Sequence, residues 1–138
     1  MKYLLLIASV FASQYLQAQE TYTLTVEVAN IEQPTGSIRA CLISEEANFL
    51  GACKRGEVKS VRQKNCELQF KNIPLGSYAI MLYHDENNND ELDKKGLFGL
   101  PGEPYGFSNN PLIFFGPPSF EDCLVHVKSD QRIQVKLK

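Results

Sequence analysis

The feature that most constrains this chain is a strict two-residue alternation of apolar and polar side chains, repeated in short runs. In TYTLTVEV, Tyr22, Leu24, Val26 and Val28 occupy every second position, with Thr and Glu between them. A strand sends successive side chains to opposite faces, so this spacing builds one apolar and one polar face; a helix would scatter the same residues around its axis. SIRACLI repeats the pattern with Ile38, Ala40 and Leu42, which leaves Arg39 and Cys41 facing the other way. CELQF aligns Cys66, Leu68 and Phe70, DCLVHV aligns Cys123, Val125 and Val127, and QRIQVKLK aligns Ile133, Val135 and Leu137. YAIMLY is apolar on both faces, as a central strand must be, and EVKSVRQ reads as a weak edge strand. Pro34 with Gly36, and Pro74 with Gly76, mark turns. SEEANFL reads as a short helical turn capped by Ser44. About seven short strands and almost no helix predict an all-β fold: an antiparallel β-sandwich, immunoglobulin-like or transthyretin-like, with one long ordered loop from about His84 to Ser119.

The first residues, MKYLLLIASVFASQYLQAQ, have one cation, Lys2, then an apolar core from Tyr3 to about Ala12, then small and polar residues. This is the layout of a secretory signal peptide, with a core too short to span a bilayer. Residues 1–19 are expected to be the leader and residues 20–138 a single domain, exported to the periplasm or beyond, with no membrane span in the mature chain. The whole chain carries a net charge of −2; without Lys2 the remainder has 13 Lys and Arg against 16 Asp and Glu. No basic cluster stands out, which argues against nucleic acid as a partner.

Four cysteines, Cys41, Cys53, Cys66 and Cys123, sit in this chain. Their spacing has no Cys-x-x-Cys pair and does not fit zinc, so two disulfides are the natural expectation in an oxidising compartment. Strand parity places Cys66 and Cys123 with the core residues and turns Cys41 away, near the loop that holds Cys53. The expected pairs are therefore Cys41–Cys53 and Cys66–Cys123, against buried free thiols for the second pair.

One stretch points to chemistry. In HDENNNDELDKK, Asp85, Asn87, Asn89, Glu91 and Asp93 fall on alternate positions directly after the apolar run SYAIMLY. Calcium takes six to eight oxygen ligands, and a tight loop with oxygens at its first, third and fifth positions supplies them through Asp85, Asn87 and Asn89. Glu91 falls where a backbone carbonyl usually serves, and Asp93 at the ninth position. Two features depart from that pattern. Asp90 stands where a glycine makes the sharp turn, and Gly96 where a bidentate Glu closes the shell, so Glu103 or water would have to complete it. The competing reading is an Asx-rich turn that hydrogen-bonds only to itself.

FKNIPLGSYAIMLYHDENNND and GLPGEPYGFSNN, followed by FFGPPSFED, resemble a family of exported bacterial proteins known as domain of unknown function 2141. The resemblance covers nearly the whole mature part and is most specific from Asn72 to Asp122. The NIPLGSY piece is also similar to the turn and strand of transthyretin-like and carboxypeptidase-regulatory-like sandwiches. The family's loop usually reads Asp-x-Asn-Gly-Asn-Gly-x-Leu-Asp, and Asn88 and Asp90 replace both glycines here. The resemblance implies a secreted β-sandwich and carries no established activity.

GLFGLPGEPYGFSNNPLIFFGPP is too long for an ordinary connection and too aromatic for disorder. Phe98, Tyr105, Phe107, Phe114 and Phe115 either form a binding surface or fold back as a satellite core. Tyr105, Phe107, Ser108 and Asn109 are the candidate ligand surface. A hydrolase would need a nucleophile, a base and an orienting acid. His84, Asp85 and Ser108 form a nominal trio, but neighbours on a strand face opposite ways, so no catalytic residue is assigned. The sequence thus predicts a non-enzymatic module, with calcium as its only candidate cofactor, that binds a glycan, a peptide or an envelope protein. A small envelope hydrolase and a purely structural envelope protein are the alternatives.

Overall fold

The computed structural model describes residues 18–138. The leader expected at residues 1–19 therefore lies almost wholly outside the described residues. Ten strands and two 3-10 turns follow in order: β1 Thr21–Ala29, β2 Ser37–Ile43, β3 Gly56–Ser60, β4 Cys66–Pro74, β5 Gly76–Asp85, β6 Lys94–Lys95, β7 Leu100–Pro101, β8 Tyr105–Phe107, β9 Leu124–Val127 and β10 Gln131–Lys136. Seven of these are the strands expected from the sequence, five of them by alternation. The other three, β6, β7 and β8, lie in the stretch expected to be one long loop. The turn Glu46–Asn48 begins after Glu45 and has no side-chain cap, so Ser44 does not serve as one.

Two sheets face each other. One has the order β10-β1-β4, and the other β3-β2-β5-β8, with β9 also on β5. β1 and β4 run antiparallel, but β1 and β10 run parallel, with Val26 opposite Ile133. That exception to the antiparallel expectation arises where the chain leaves β9 in one sheet and joins β10 to the other through Lys128–Asp130. β5 is central, as its apolar faces require: it pairs with β2 along one side and with β8 and β9 along the other.

The alternation divides the apolar residues as the sequence dictates. Leu24, Val26, Leu68, Phe70, Ile38, Leu42, Ile80, Leu82 and Val135 meet between the sheets. A second cluster covers the outer face of the larger sheet: Cys41, Ile43, Ala79, Phe107 and Cys123, with Phe49, Met81, Tyr105, Ile113 and Phe120 against them. Phe49 packs on Phe107 at 6.0 Å and on Phe120 at 5.6 Å between ring centroids, the first pair tilted and the second edge to face.

This division settles the cysteines. Cys41 and Cys53 are bonded, with Cα atoms 5.7 Å apart. Cys66 and Cys123 are free and buried, which corrects the expected second disulfide. Cys66 belongs to the cluster between the sheets and Cys123 to the outer cluster, so the larger sheet lies between them. Parity misled because Cys123 is not in the strand: it ends the 3-10 turn Glu121–Cys123, and the alternation starts only at Leu124.

Candidate functional site

β5 carries its alternation to the edge of the sandwich. His84 ends on the inner face and Asp85 on the outer one, and both are completely buried. The outer face also holds Arg39 of β2, which lies opposite Tyr83 of β5 and diagonal to Asp85. Arg39 Nε donates to Asp85 Oδ2 at 2.8 Å, and its terminal nitrogen reaches Asp90. Asp85 also accepts from the Asn89 amide at 3.1 Å and the Asp90 amide at 3.0 Å. Burial by itself would raise the Asp85 carboxyl. The hydrogen bond from Arg39 and the two amides together outweigh it and hold the group below the ordinary carboxylate value.

The remaining oxygens of the loop close on one another. Asn87 Oδ1 accepts from the Asn89 amide, and Asn89 Oδ1 from the Glu91 amide, both at 3.0 Å. The side-chain nitrogens of Asn87 and Asn89 each donate to Asp93 at 2.8 Å. Asn88 and Asp90 take φ values of 56° and 70°, the left-handed turns that glycine would make freely. Of the expected set, Asp85, Asn87, Asn89 and Asp93 are thus brought together. The side chain of Glu91 is exposed, and only its amide enters the network. Among the described residues, no group of three His, Cys, Asp or Glu side chains is placed to hold a metal ion. Any cation here would rest on Asp93 and amide oxygens, because Asp85 is committed to Arg39.

Glu103 does not complete a ligand shell. It is nearly buried, and its two oxygens accept from the amides of Glu86, at 2.9 Å, and Asp93, at 3.1 Å. The Gly102 amide donates a hydrogen bond to the Asp93 carbonyl at 2.6 Å. These contacts fasten both ends of the β6–β7 hairpin to the end of β5. The hairpin then projects its turn into solvent: Phe98 is 90 % exposed and Leu97 fully so, with Leu100 close behind. Gly96 and Gly99, at φ 75° and 63°, frame that turn.

The candidate ligand surface needs correction. Phe107 and Ser108 are buried and Tyr105 is half-buried. The Ser108 hydroxyl bonds the Ile80 amide and the Cys123 carbonyl, and the Asn109 side chain bonds the Asp122 and Leu124 carbonyls. These residues seat the long segment on the outer face, where Phe107 lies opposite Met81. The exposed aromatics are Phe98, Phe114 and Phe115. Alternation could not separate the two groups, because burial in this segment depends on pairing with β5 and not on local spacing.

The nominal trio does not assemble. His84 turns inward, its Nε2 donating to the Thr35 carbonyl at 2.7 Å, while Ser108 is sealed under the opposite face. His126 is exposed, as expected for a polar position between Val125 and Val127, and meets Ser77 across the strands at 2.7 Å.

Fold and site define a β-sandwich whose edge loop is latched by Arg39 and Glu103 and carries a solvent-facing apolar hairpin. The chain belongs to the family described as "Uncharacterized protein conserved in bacteria (DUF2141)", whose model matches residues 26–135. No curated protein and no solved structure matches it. Among the described residues, no helix is long and apolar enough to cross a membrane.

Proposed function

We propose that the protein is an exported, non-catalytic binding module of the bacterial envelope, and that its contact element is the β6–β7 hairpin. The observation that carries this reading is the exposure of Leu97 and Phe98 on a hairpin that buried polar groups hold in place. Exposing a large aromatic side chain on an ordered turn forgoes burial worth about 1.5–3 kcal/mol, which argues for a role outside the fold. The leader-like N-terminus supports export, and the Cys41–Cys53 bond suits an oxidising compartment. The expected ligand is a component of the envelope. The test is retention of the purified protein on the envelope fraction of the cells that make it. Phe98→Asp should abolish retention without lowering the melting temperature; retention equal to wild type would refute the assignment.

A second reading has one observation in its favour. Asn87 and Asn89 both converge on Asp93, directly beyond the buried Asp85. Calcium could take these oxygens in place of the amide hydrogen bonds, and the shortage of free carboxylates would make binding weak, suited to an extracellular ion. Calcium titration tests this reading, as set out in the Discussion.

A further inference from the structure

Resting on the hairpin reading above, we infer that the partner of the hairpin is an anionic phospholipid surface. The tip is convex. Leu97, Phe98 and Leu100 are all exposed, and a side chain built on Gly96 would meet nothing within 4 Å. A tip without a wall beside it has nothing against which to clamp a protein side chain, whereas a fluid bilayer opens its own cavity around an inserted Leu and Phe. The stem supplies charge of the matching sign. Lys94 and Lys95 are exposed, and among the described residues neither forms an ion pair. Their aliphatic stems lie along the hairpin, with Lys94 Cδ and Lys95 Cγ beside Gly99 and Gly102. Cations at the level of the headgroups, below apolar residues at the level of the acyl chains, are the arrangement that holds peripheral proteins to anionic membranes.

The carboxylates behind the stem are mostly engaged. Asp90 turns to Arg39, Asp93 to Asn87 and Asn89, and Glu103 to the amides of Glu86 and Asp93. Glu86 and Glu91 are the two in that stretch with exposed carboxylates and no such bond, and Glu86 lies 3.9 Å from the buried His84 ring. The other exposed aromatic pair, Phe114 and Phe115, has no adjacent cation in sequence; Glu121 and Asp122 follow it, and the one lysine seated on that segment, Lys138, is bonded to the Pro111 carbonyl. Charge therefore selects the hairpin over that loop. The latch through Glu103 keeps the tip in place before contact, so little ordering entropy is lost on insertion.

The experiment is co-sedimentation of the purified protein with vesicles of mixed phosphatidylglycerol and phosphatidylcholine, and with phosphatidylcholine alone, in chelator so that divalent ions cannot bridge. Binding is expected to the anionic vesicles and to be much weaker to the neutral ones. Phe98→Asp should weaken it by about tenfold or more, since withdrawing one large apolar side chain from water is worth on the order of a factor of ten. Lys94→Gln with Lys95→Gln should remove the preference for phosphatidylglycerol, and Phe115→Asp should change nothing. Melting temperatures of the variants, expected at the wild-type value, exclude misfolding as the cause. No binding to anionic vesicles, or full binding by Phe98→Asp, overturns the lipid assignment. Retention on the envelope fraction that still depends on Phe98, without vesicle binding, would overturn lipid as the partner and leave the hairpin as the contact element. Loss of both would remove the two readings together.

Discussion

Arg39 and Asp85 form a diagonal pair on the outer face of the larger sheet, 2.8 Å apart, with Asp85 wholly buried and Arg39 about a quarter exposed. The pair joins the sheet to the loop, because the same carboxylate holds the Asn89 and Asp90 amides. Removing it leaves the Asp90 amide without its acceptor and strips the half-buried guanidinium of its buried partner, although Arg39 keeps Asp90 and the Asn89 amide keeps Asn87 Oδ1. Asp85→Ala should therefore cost about 2–3 kcal/mol, read by denaturant unfolding. The folded-state carboxyl lies below its ordinary value, so its contribution is complete at neutral pH. It should decline as pH falls below about 4, where the unfolded chain begins to take up the proton first. Wild type should lose stability in this range more steeply than Asp85→Asn, which has no such group to titrate.

Gly36 lies directly under this junction. It has a φ of 70°, and a Cβ there would fall 2.1 Å from the Asp85 carbonyl oxygen and 2.8 Å from Glu86 Cα. Both are backbone atoms, so no side chain can swing aside. Gly36→Ala should destabilise by more than about 2 kcal/mol. Gly96→Ala, with a similar φ but open space, should cost less, leaving a difference that isolates the steric part.

The cysteines should behave as two classes. Serine at Cys41 and Cys53 together should cost about 3 kcal/mol, the loop-closure value for a separation of 12 residues. Cys66 and Cys123 should resist thiol reagents in the folded state and react on unfolding. Burial raises both thiols, that of Cys123 up to about 11. Peptide mapping that found Cys66 joined to Cys123 would contradict their placement on opposite faces of the sheet.

If calcium occupies the loop, millimolar ion should raise the melting temperature of chelator-stripped protein. At a concentration 100 times Kd the gain is about 2.7 kcal/mol. Asp93→Ala is the informative variant, since Asp85 is needed by Arg39 with or without an ion. Magnesium should substitute poorly, because it requires tighter octahedral geometry. Absence of any shift would mean that the loop is held by its own hydrogen bonds alone.

The sandwich was legible because its strands are long enough to alternate: Leu24 to Val28, Ile38 to Leu42 and Cys66 to Phe70 each reveal a face. β6, β7 and β8 were not, since two or three residues show no period and their pairing is set by β5 or by the hairpin turn. Alternation did place Arg39 on the outer face, but nothing local said that Asp85 would lie diagonal to it across a strand. Glu103 was legible as an acid near the loop and not as a latch, because its partners are backbone amides, which leave no trace in sequence. Tyr105 and Phe98 look alike in composition; only the tertiary fold buries one against the sheet and leaves the other in water.

The chain contains no tryptophan, so Phe98→Trp would place a single indole at the hairpin tip. Its emission in buffer should be that of a fully hydrated indole, as the exposure of Phe98 requires. On addition of the envelope fraction it should shift to the blue and become shielded from a water-soluble quencher. Emission that stays at its value in water while the protein binds the envelope would place the contact elsewhere and contradict the hairpin as the binding element.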